Sequence, residues 1–418
     1  MSTVTTTVRL GDPDIADVIL GQSPPSSTYN EQGIGLPFYQ GKADFGLMHP
    51  TPRVWCTEGN KFAKPGDVLI SVRAPVGDVN MATEAAVVGR GVSVIRAAEG
   101  VDPWYLYFSV AFMKPVLEAQ ATGSTFASVN GTTLRDLEIP FVPLEDQVAV
   151  GRSLRFLLTQ IQKEEAALST TTETKKSAMQ QLFSQGLRRE AQKETEIGAI
   201  PQSWDVVRFG QVREFLQYGT SVQCTLEPKD YPVLRIPNIE PGRVNAAELK
   251  YCNLAPSQAQ KYLLQPGDLL FIRTNGVIER LGACAVYGGE PESALFASYL
   301  IRARLTESAL PKFIAYFYGS ALGTSLVAGR ATPASDGKYN LNTGTIDALP
   351  LPLPPTAAEQ QEIVDVLDAL DRKIDLHSRK RGVLDQLFKS LLPKLMTGEV
   401  SVGDLDLSAL PAADGSAA

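Results

Sequence analysis

Pro65-Gly66-Asp67-Val68-Leu69 returns 201 positions later as Pro266-Gly267-Asp268-Leu269-Leu270, and this recurrence governs how the rest of the chain is read. Tyr107-Phe108 comes back as Tyr316-Phe317, and Ala121-Thr122 as Ala331-Thr332. Asp146-Gln147 comes back as Glu359-Gln360, and Gln181-Leu182-Phe183 as Gln386-Leu387-Phe388. The matches keep their order, and the offset drifts only between 201 and 213. Such a period lies far outside the roughly 20–50 residues of a solenoid unit, so the chain is a duplicated two-part module. A duplicated module implies a target with two parts.

Outward from the two turns, residues 1–144 and 197–356 are rich in Gly, Pro and β-branched residues. Each Pro-Gly-Asp leads into a strand-like run, residues 68–72 and 269–272, and a helix-like stretch follows near 103–117 and 311–326. These are two similar α+β domains. Residues 145–190 and 357–400 read instead as long helices. From Ile363, steps of four and three reach Leu367, Leu370, Ile374, His377, Arg381, Leu384, Phe388, Leu391 and Leu395, the pattern of a coiled-coil seam. His377 and Arg381 interrupt it, so its middle is either wet or held in register by a polar contact.

The first copy of the seam runs through Val150, Leu154, Leu157, Ile161, Glu164, Leu168, Thr171, Lys175, Ala178 and Leu182 and is poorer. Consecutive threonines within 169–174 disfavour helix. Between its matched Gln147 and Leu182 stand eight more residues than between Gln360 and Leu387. They either lengthen the helix by about 12 Å or make a break or loop. Proline-punctuated strands, Ile139-Pro140-Phe141-Val142-Pro143 and Leu351-Pro352-Leu353-Pro354-Pro355, precede both helices and let them start. Residues 401–418, small and mildly acidic, are expected to be a disordered tail. The order globule, helix, globule, helix predicts that a second helix packed beside the first must return. The result is an antiparallel coiled coil of about 60 Å with a globule at each end.

Bulk properties narrow the function. A chain of 418 residues with 44% hydrophobic content can bury more than one core. Nothing at the amino terminus reads as a signal segment, and the longest uncharged stretch, 313–329, is too short and too rich in Gly, Ser and Thr for a membrane span. Cys56, Cys224, Cys252 and Cys284 stand far apart, with only His49 and His377 beside them. That argues against zinc and for free thiols in a reducing, cytoplasmic setting. Net charge is −7, and residues 197–356, the most basic segment, carry 14 basic against 13 acidic side chains. Any DNA contact must therefore come from local clusters, or from attraction supplied in part by a basic partner.

Catalytic motifs are missing. Gly35…Gly41-Lys42-Ala43 has the wrong spacing for a phosphate loop and lacks its hydroxyl. No Gly-x-Gly-x-x-Gly opens a helix after a strand. Ser23-Pro24-Pro25-Ser26 has neither the amide nor the ring of an amino-methyltransferase motif. No acidic pair followed by Glu-x-Lys offers a magnesium site for phosphodiester cleavage. A Ser-His-Asp triad would have to rest on His49, beside Pro50. The expectation is a non-catalytic chain that holds no cofactor of its own.

At these residues the chain resembles the specificity (S) subunits of type I restriction–modification systems, over nearly its whole length. The most specific piece is Glu196-Ile197-Gly198-Ala199-Ile200-Pro201-Gln202-Ser203-Trp204, similar to the start of that family's second target-recognition domain. Leu351 to Pro355 leading into Glu359-Gln360-Gln361-Glu362-Ile363, and Leu384 to Gly398, resemble its distal conserved helix; Asp146-Gln147 to Gly186 resembles the central one. The resemblance implies two target-recognition domains, each reading one half of a split site in double-stranded DNA, while the helices set the gap. It also implies two methyltransferase subunits that carry S-adenosylmethionine, and restriction subunits that translocate and cut.

Base reading calls for Arg, Lys, Asn or Gln on loops, with basic and hydroxyl groups for phosphates. In the second domain the candidates are Arg235, Asn238, Arg273, Thr274, Asn275, Arg330, Lys338 and Asn340. Their counterparts in the first are Arg73, Ser124, Thr125 and Asn130, with Lys42 added. The exposed helix faces are candidates for seating the methyltransferase subunits. Two other readings stay open: a coiled-coil scaffold without DNA specificity, and a diverged single-chain restriction or methylation enzyme. Indifference to all DNA would favour the first, and binding of S-adenosylmethionine by the isolated chain the second.

Overall fold

A buried carboxylate explains why the Pro-Gly-Asp turn occurs twice. In the computed structural model, which describes residues 6–122 and 127–404, Asp67 is 3% exposed and Asp268 1%. Asp67 accepts two bonds from Arg96, at 2.9 and 2.7 Å, and one from the Lys64 amide. Asp268 does the same with Arg304, at 2.8 and 2.9 Å, and the Gln265 amide. The glycine between turns the chain at φ +86° and +94°, a region open to Gly at no steric cost. Each turn is thus locked to the neighbouring strand that carries its arginine.

The chain packs as two units, residues 1–167 with 377–418, and residues 168–376. Both are α+β and repeat one architecture. The first unit orders Ala16–Leu20, Val92–Ala97, Val68–Ser71 and Val79–Met81 in one antiparallel sheet. The second orders Arg213–Tyr218, Leu300–Leu305, Leu269–Ile272 and Cys284–Val286 in the same way, and adds Gly242–Val244 and Ile239–Glu240 at one edge. A second small sheet also recurs, with a parallel pair at its heart: Leu36–Tyr39 beside Ala86–Val88, and Tyr231–Leu234 beside Leu295–Phe296. The helical stretch expected at 103–117 is two helices, Pro103–Phe112 and Lys114–Gln120, because Pro115 has no amide hydrogen to continue the first helix and sits instead in the first turn of the second. Its partner divides at Ser320, whose hydroxyl accepts the Gly323 amide and caps a new helix.

The central helix, Leu144–Gln185, is unbroken over 42 residues. Of the two outcomes open for the threonine run, the longer helix is the one realised. Thr172 and Thr174 donate their hydroxyls to the Leu168 and Thr170 carbonyls at 2.8 Å, so the polar groups are satisfied within the helix. The distal helix is Ala357–Met396. Within each unit the two helices run antiparallel. In the first, Val150 and Leu395 line one small cavity, while Glu164 meets His377. In the second, Lys175 meets Asp371 at 2.5 Å and Gly186 lies beside Glu359.

The expected seam is partly displaced. Leu154, Ile161, Ile363 and Leu367 are buried, whereas Leu157, Leu182, Leu370, Ile374, Leu384, Phe388 and Leu391 are half-buried. Leu158, Met179, Phe183 and Val364, outside the expected seam, are buried as well. These helices must cover a globular domain as well as each other, so the apolar stripe is wider than a two-stranded seam. The interrupted middle is polar by construction: buried Glu164 accepts from His377 Nδ1 and Lys380 Nζ, each at 2.6 Å. These bonds hold its carboxyl below the ordinary value of 4.5. A lowered folded pKa contributes stability that is complete above the unfolded value and lost as pH falls through the folded one. Glu164→Gln is therefore expected to flatten the fall in melting temperature as the pH is lowered below the ordinary value of 4.5. An unchanged drop would assign the acid sensitivity to other groups.

The repeated Asp/Glu-Gln motif ties each helix to its domain. Gln147, 1% exposed, accepts the Asp102 amide and donates to the Val142 carbonyl. Gln360, equally buried, accepts the Leu310 amide at 2.8 Å and donates to the Ser308 carbonyl at 3.0 Å. Gln360→Ala leaves both groups without a partner and is expected to cost about 1–3 kcal/mol in urea unfolding. A change within about 0.5 kcal/mol, the usual range for surface positions, would contradict that role. At the other end of the chain, Val402 is buried in the first unit's core beside Val400 and Leu395, so packed chain continues past residue 401, where the tail was expected to begin. Residues 405–418 lie outside the described part.

Candidate nucleic-acid interface

The strand after each Pro-Gly-Asp turn ends where three other segments converge. In the first unit the Val72 amide donates to the Gly91 carbonyl, and the Val72 carbonyl accepts from Val129. In the second, the Arg273 amide donates to Tyr299 at 3.1 Å, and the Arg273 carbonyl accepts from Leu341 at 2.8 Å. Val72 therefore corresponds to Arg273, and Arg73 to Thr274. The fourth segment closes on a glycine, Gly21 or Gly219. A Cβ there would lie 2.2 Å from the Gly89 carbonyl oxygen, or 2.3 Å from those of Phe296 and Ala297. Only glycine admits so close an approach of backbones, and it brings the preceding side chains, Leu20 and Tyr218, to the same end of the sheet.

In the second unit this end gathers candidates that lie far apart in sequence. Thr274–Asn275 pairs with Tyr339–Asn340, which pairs in turn with Thr332–Pro333. Arg273 lies with its guanidinium 4.8 Å above the Tyr218 ring, and its Nη1 donates to the Ser298 carbonyl at 3.4 Å. Lys338 is exposed and paired with Asp336, which raises its pKa. Asn275 holds the Val277 amide, and Arg330 donates to the Leu326 carbonyl.

Two expected readers serve the fold instead. Asn238 is 1% exposed and spends its amide on Arg235, Asn245 and Glu248, because it closes a short turn as Asp44 does in the first unit. Asn130 caps the helix Gly131–Arg135 by accepting the Thr133 amide. Its counterpart is Asn342, which caps Thr343–Asp347, rather than Asn340. Arg235 is half-buried, with Nη2 on the Glu248 carbonyl.

The first unit has a different surface at this end. A cleft of about 730 Å³ is lined by Lys42, Arg53, Arg73 and Arg90, with Ser23 and Gly91. Lys42 lies 3.5 Å from Asp78, and Arg53 holds Asp44 at 2.8 Å. Arg73 and Arg90 are exposed, and their side chains have no partner among the described residues. Ser124 and Thr125 lie outside the described residues. Sequence reasoning missed Arg53, Arg90, Tyr218 and Tyr299. The signal for Arg90 and Tyr218 was an adjoining glycine, Gly91 or Gly219, visible only once the two copies are aligned strand by strand.

Among the described residues no three His, Cys, Asp or Glu could hold a metal ion, and no helix is long and apolar enough to cross a membrane. The arrangement offers hydrogen-bond donors, cations and aromatic faces on loops held by a rigid sheet, which suits recognition of a polyanion with readable edges.

A family model described as the type I restriction modification DNA specificity domain matches residues 6–170 and 201–386. The putative type I restriction enzyme MjaX specificity subunit of Methanocaldococcus jannaschii is 40% identical over 161 residues, 38% of this chain and 38% of that protein. The type I restriction enzyme EcoKI specificity subunit of Escherichia coli K12 is 24% identical over 300 residues, 68% and 62% of the two chains. The match thus spans less than two thirds of either relative. The crystal structure of the type I restriction–modification S subunit from M. genitalium shares the fold, with a TM-score of 0.64 at 14% identity over 94% of this chain and 96% of that one.

Proposed function

We propose, because the chain belongs to the type I restriction modification DNA specificity family, that it recognises DNA in two parts and carries out no chemistry itself. Each unit reads one half of a split site. One observation carries this reading: the same sheet end is built twice from the same backbone bonds, yet it presents different side chains, Leu20, Val72, Arg73 and Arg90 against Tyr218, Arg273, Thr274 and Ser298. A repeated scaffold with divergent loops is what two different half-sites require. The cationic cleft of the first unit suits duplex phosphates.

The long helices have a second role in this reading. Two methyltransferase subunits, which carry the S-adenosylmethionine, dock on equivalent helix faces, and restriction subunits join the assembly in the cytoplasm. Val383 and Leu387, 65% and 45% exposed on the distal helix, are apolar side chains that such a partner would cover. A repeat with two equivalent faces seats two identical partners. Co-purification with one partner per chain would count against it.

Mapping of methylated adenines in the host genome, with and without this gene, tests the main claim. A two-part motif with an unread gap should vanish with the gene. An unchanged methylation pattern refutes the reading. In direct binding of the purified complex, Arg73→Ala is expected to weaken specific and scrambled duplexes alike and to lower the salt dependence by about one phosphate contact. Loss confined to the specific duplex would make it a base reader.

A further inference from the structure

We infer that Tyr218 is a positioning residue that holds the Arg273 guanidinium ready to read a guanine, so that the two half-sites are read by different chemistry. The inference rests on the recognition reading above. Arg273 is fixed at both backbone groups, its amide on Tyr299 and its carbonyl on Leu341. Its guanidinium plane is held on one side by the Tyr218 ring at 4.8 Å and by the Ser298 carbonyl at Nη1. The ring is itself anchored, because the Tyr218 hydroxyl accepts the Thr343 amide at 3.2 Å where the helix Thr343–Asp347 begins. No carboxylate pairs with Arg273 among the described residues, and its buried Nε has no acceptor among them. A half-buried guanidinium with unmet donors gains most from a ligand that brings acceptors.

Arginine's planar fork matches the O6 and N7 acceptors of guanine in the major groove. Holding the fork in place beforehand removes most of the ordering cost of binding. The first unit lacks the device, since Leu20 and Val72 stand where Tyr218 and Arg273 do. Its cations, Arg73 and Arg90, come from neighbouring positions and line an open cleft instead. Tyr299, 58% exposed beside Arg273, adds a second aromatic face to the second unit's site.

Methylation mapping of the complete complex in its host tests this with four variants. Arg273→Ala, Arg273→Lys and Tyr218→Leu, which installs the first unit's residue, are each expected to relax one G·C position in one half-site. Discrimination there should fall by about 5- to 150-fold, the range of one bidentate arginine–guanine pair. Tyr218→Phe keeps the ring under the guanidinium and loses only its bond to the Thr343 amide, so the motif should survive with less relaxation than in Tyr218→Leu. Uniform loss of methylation with the motif intact overturns the inference, as does degeneracy in both half-sites. Should Tyr218→Leu abolish all methylation, Arg273→Lys decides, because it keeps the charge and loses the fork; a retained motif there overturns the guanine reading. A wild-type gene that leaves no two-part motif overturns the recognition reading itself, so the two failures are distinguishable.

Discussion

Asp268→Ala is expected to destabilise the second unit by about 3–5 kcal/mol, the cost of leaving buried charge uncompensated. Asp268 is 1% exposed and faces two arginines, Arg304 in a two-bond fork and Arg302 at 3.7 Å. Arg302 is itself 5% exposed, packed against Phe215 and Phe296, with burial and Arg304 both lowering its pKa. Without the carboxylate, buried Arg302 faces the like charge of Arg304 with no counter-charge between them, and the Gln265 amide loses its acceptor. Asp67→Ala makes the control. There only Arg96 is released, 31% exposed and able to turn to solvent, and a loss of about 1–3 kcal/mol is expected. Urea unfolding of the full chain measures both. An equal or larger loss for Asp67→Ala would show that the buried Arg302 is not what makes the second pair indispensable.

Trp204→Ala is the other large effect, about 3–5 kcal/mol for emptying the space of a fully buried indole. Trp204 is 0% exposed in one core with Ile200, Ile363 and Leu367. Its ring meets Phe313 edge to face at 6.0 Å, and its Nε1 donates to Glu359 at 3.1 Å. The residue fastens the start of the second globular domain to the first turn of the distal helix. Trp204→Phe keeps much of the packing and loses the hydrogen bond, for an expected cost of about 1–2 kcal/mol. Where either variant remains folded, its methylation motif should match the wild type. A changed motif would make Trp204 part of the reading surface.

That contrast shows what the most specific stretch of sequence reports. Residues 196–204 carry the resemblance read from the sequence, yet in the structure Ile197, Ile200 and Trp204 are packing elements. The same holds for Gln147 and Gln360, whose repetition marks a buried hinge between helix and domain. The reading loops carry no such signature. Asn238 and Asn130 looked like base readers because asparagine suits a loop. Their amides are consumed by a turn and a helix cap, which local sequence does not distinguish from a solvent-facing loop. Tyr218 escaped notice for the opposite reason: a tyrosine at the end of a strand suggests core, and only the closing glycine reveals that it faces the reading loops.

The amino-acid sequence by itself determined the duplication, the α+β class of each domain, the two long helices and the turns that lock each sheet, because these rest on periodicity and turn chemistry among residues close in the chain. Tertiary structure alone decided which copy of a motif meets which. Phe108 packs on Phe388, and Phe317 on Phe183, so each domain is completed by the end of the other copy's helix. Identical motifs carry no label for their partner. The path of the chain supplies it, just as the strand register decides that Arg273 takes the place in its unit that Val72 takes in the first, and lies beside Tyr218.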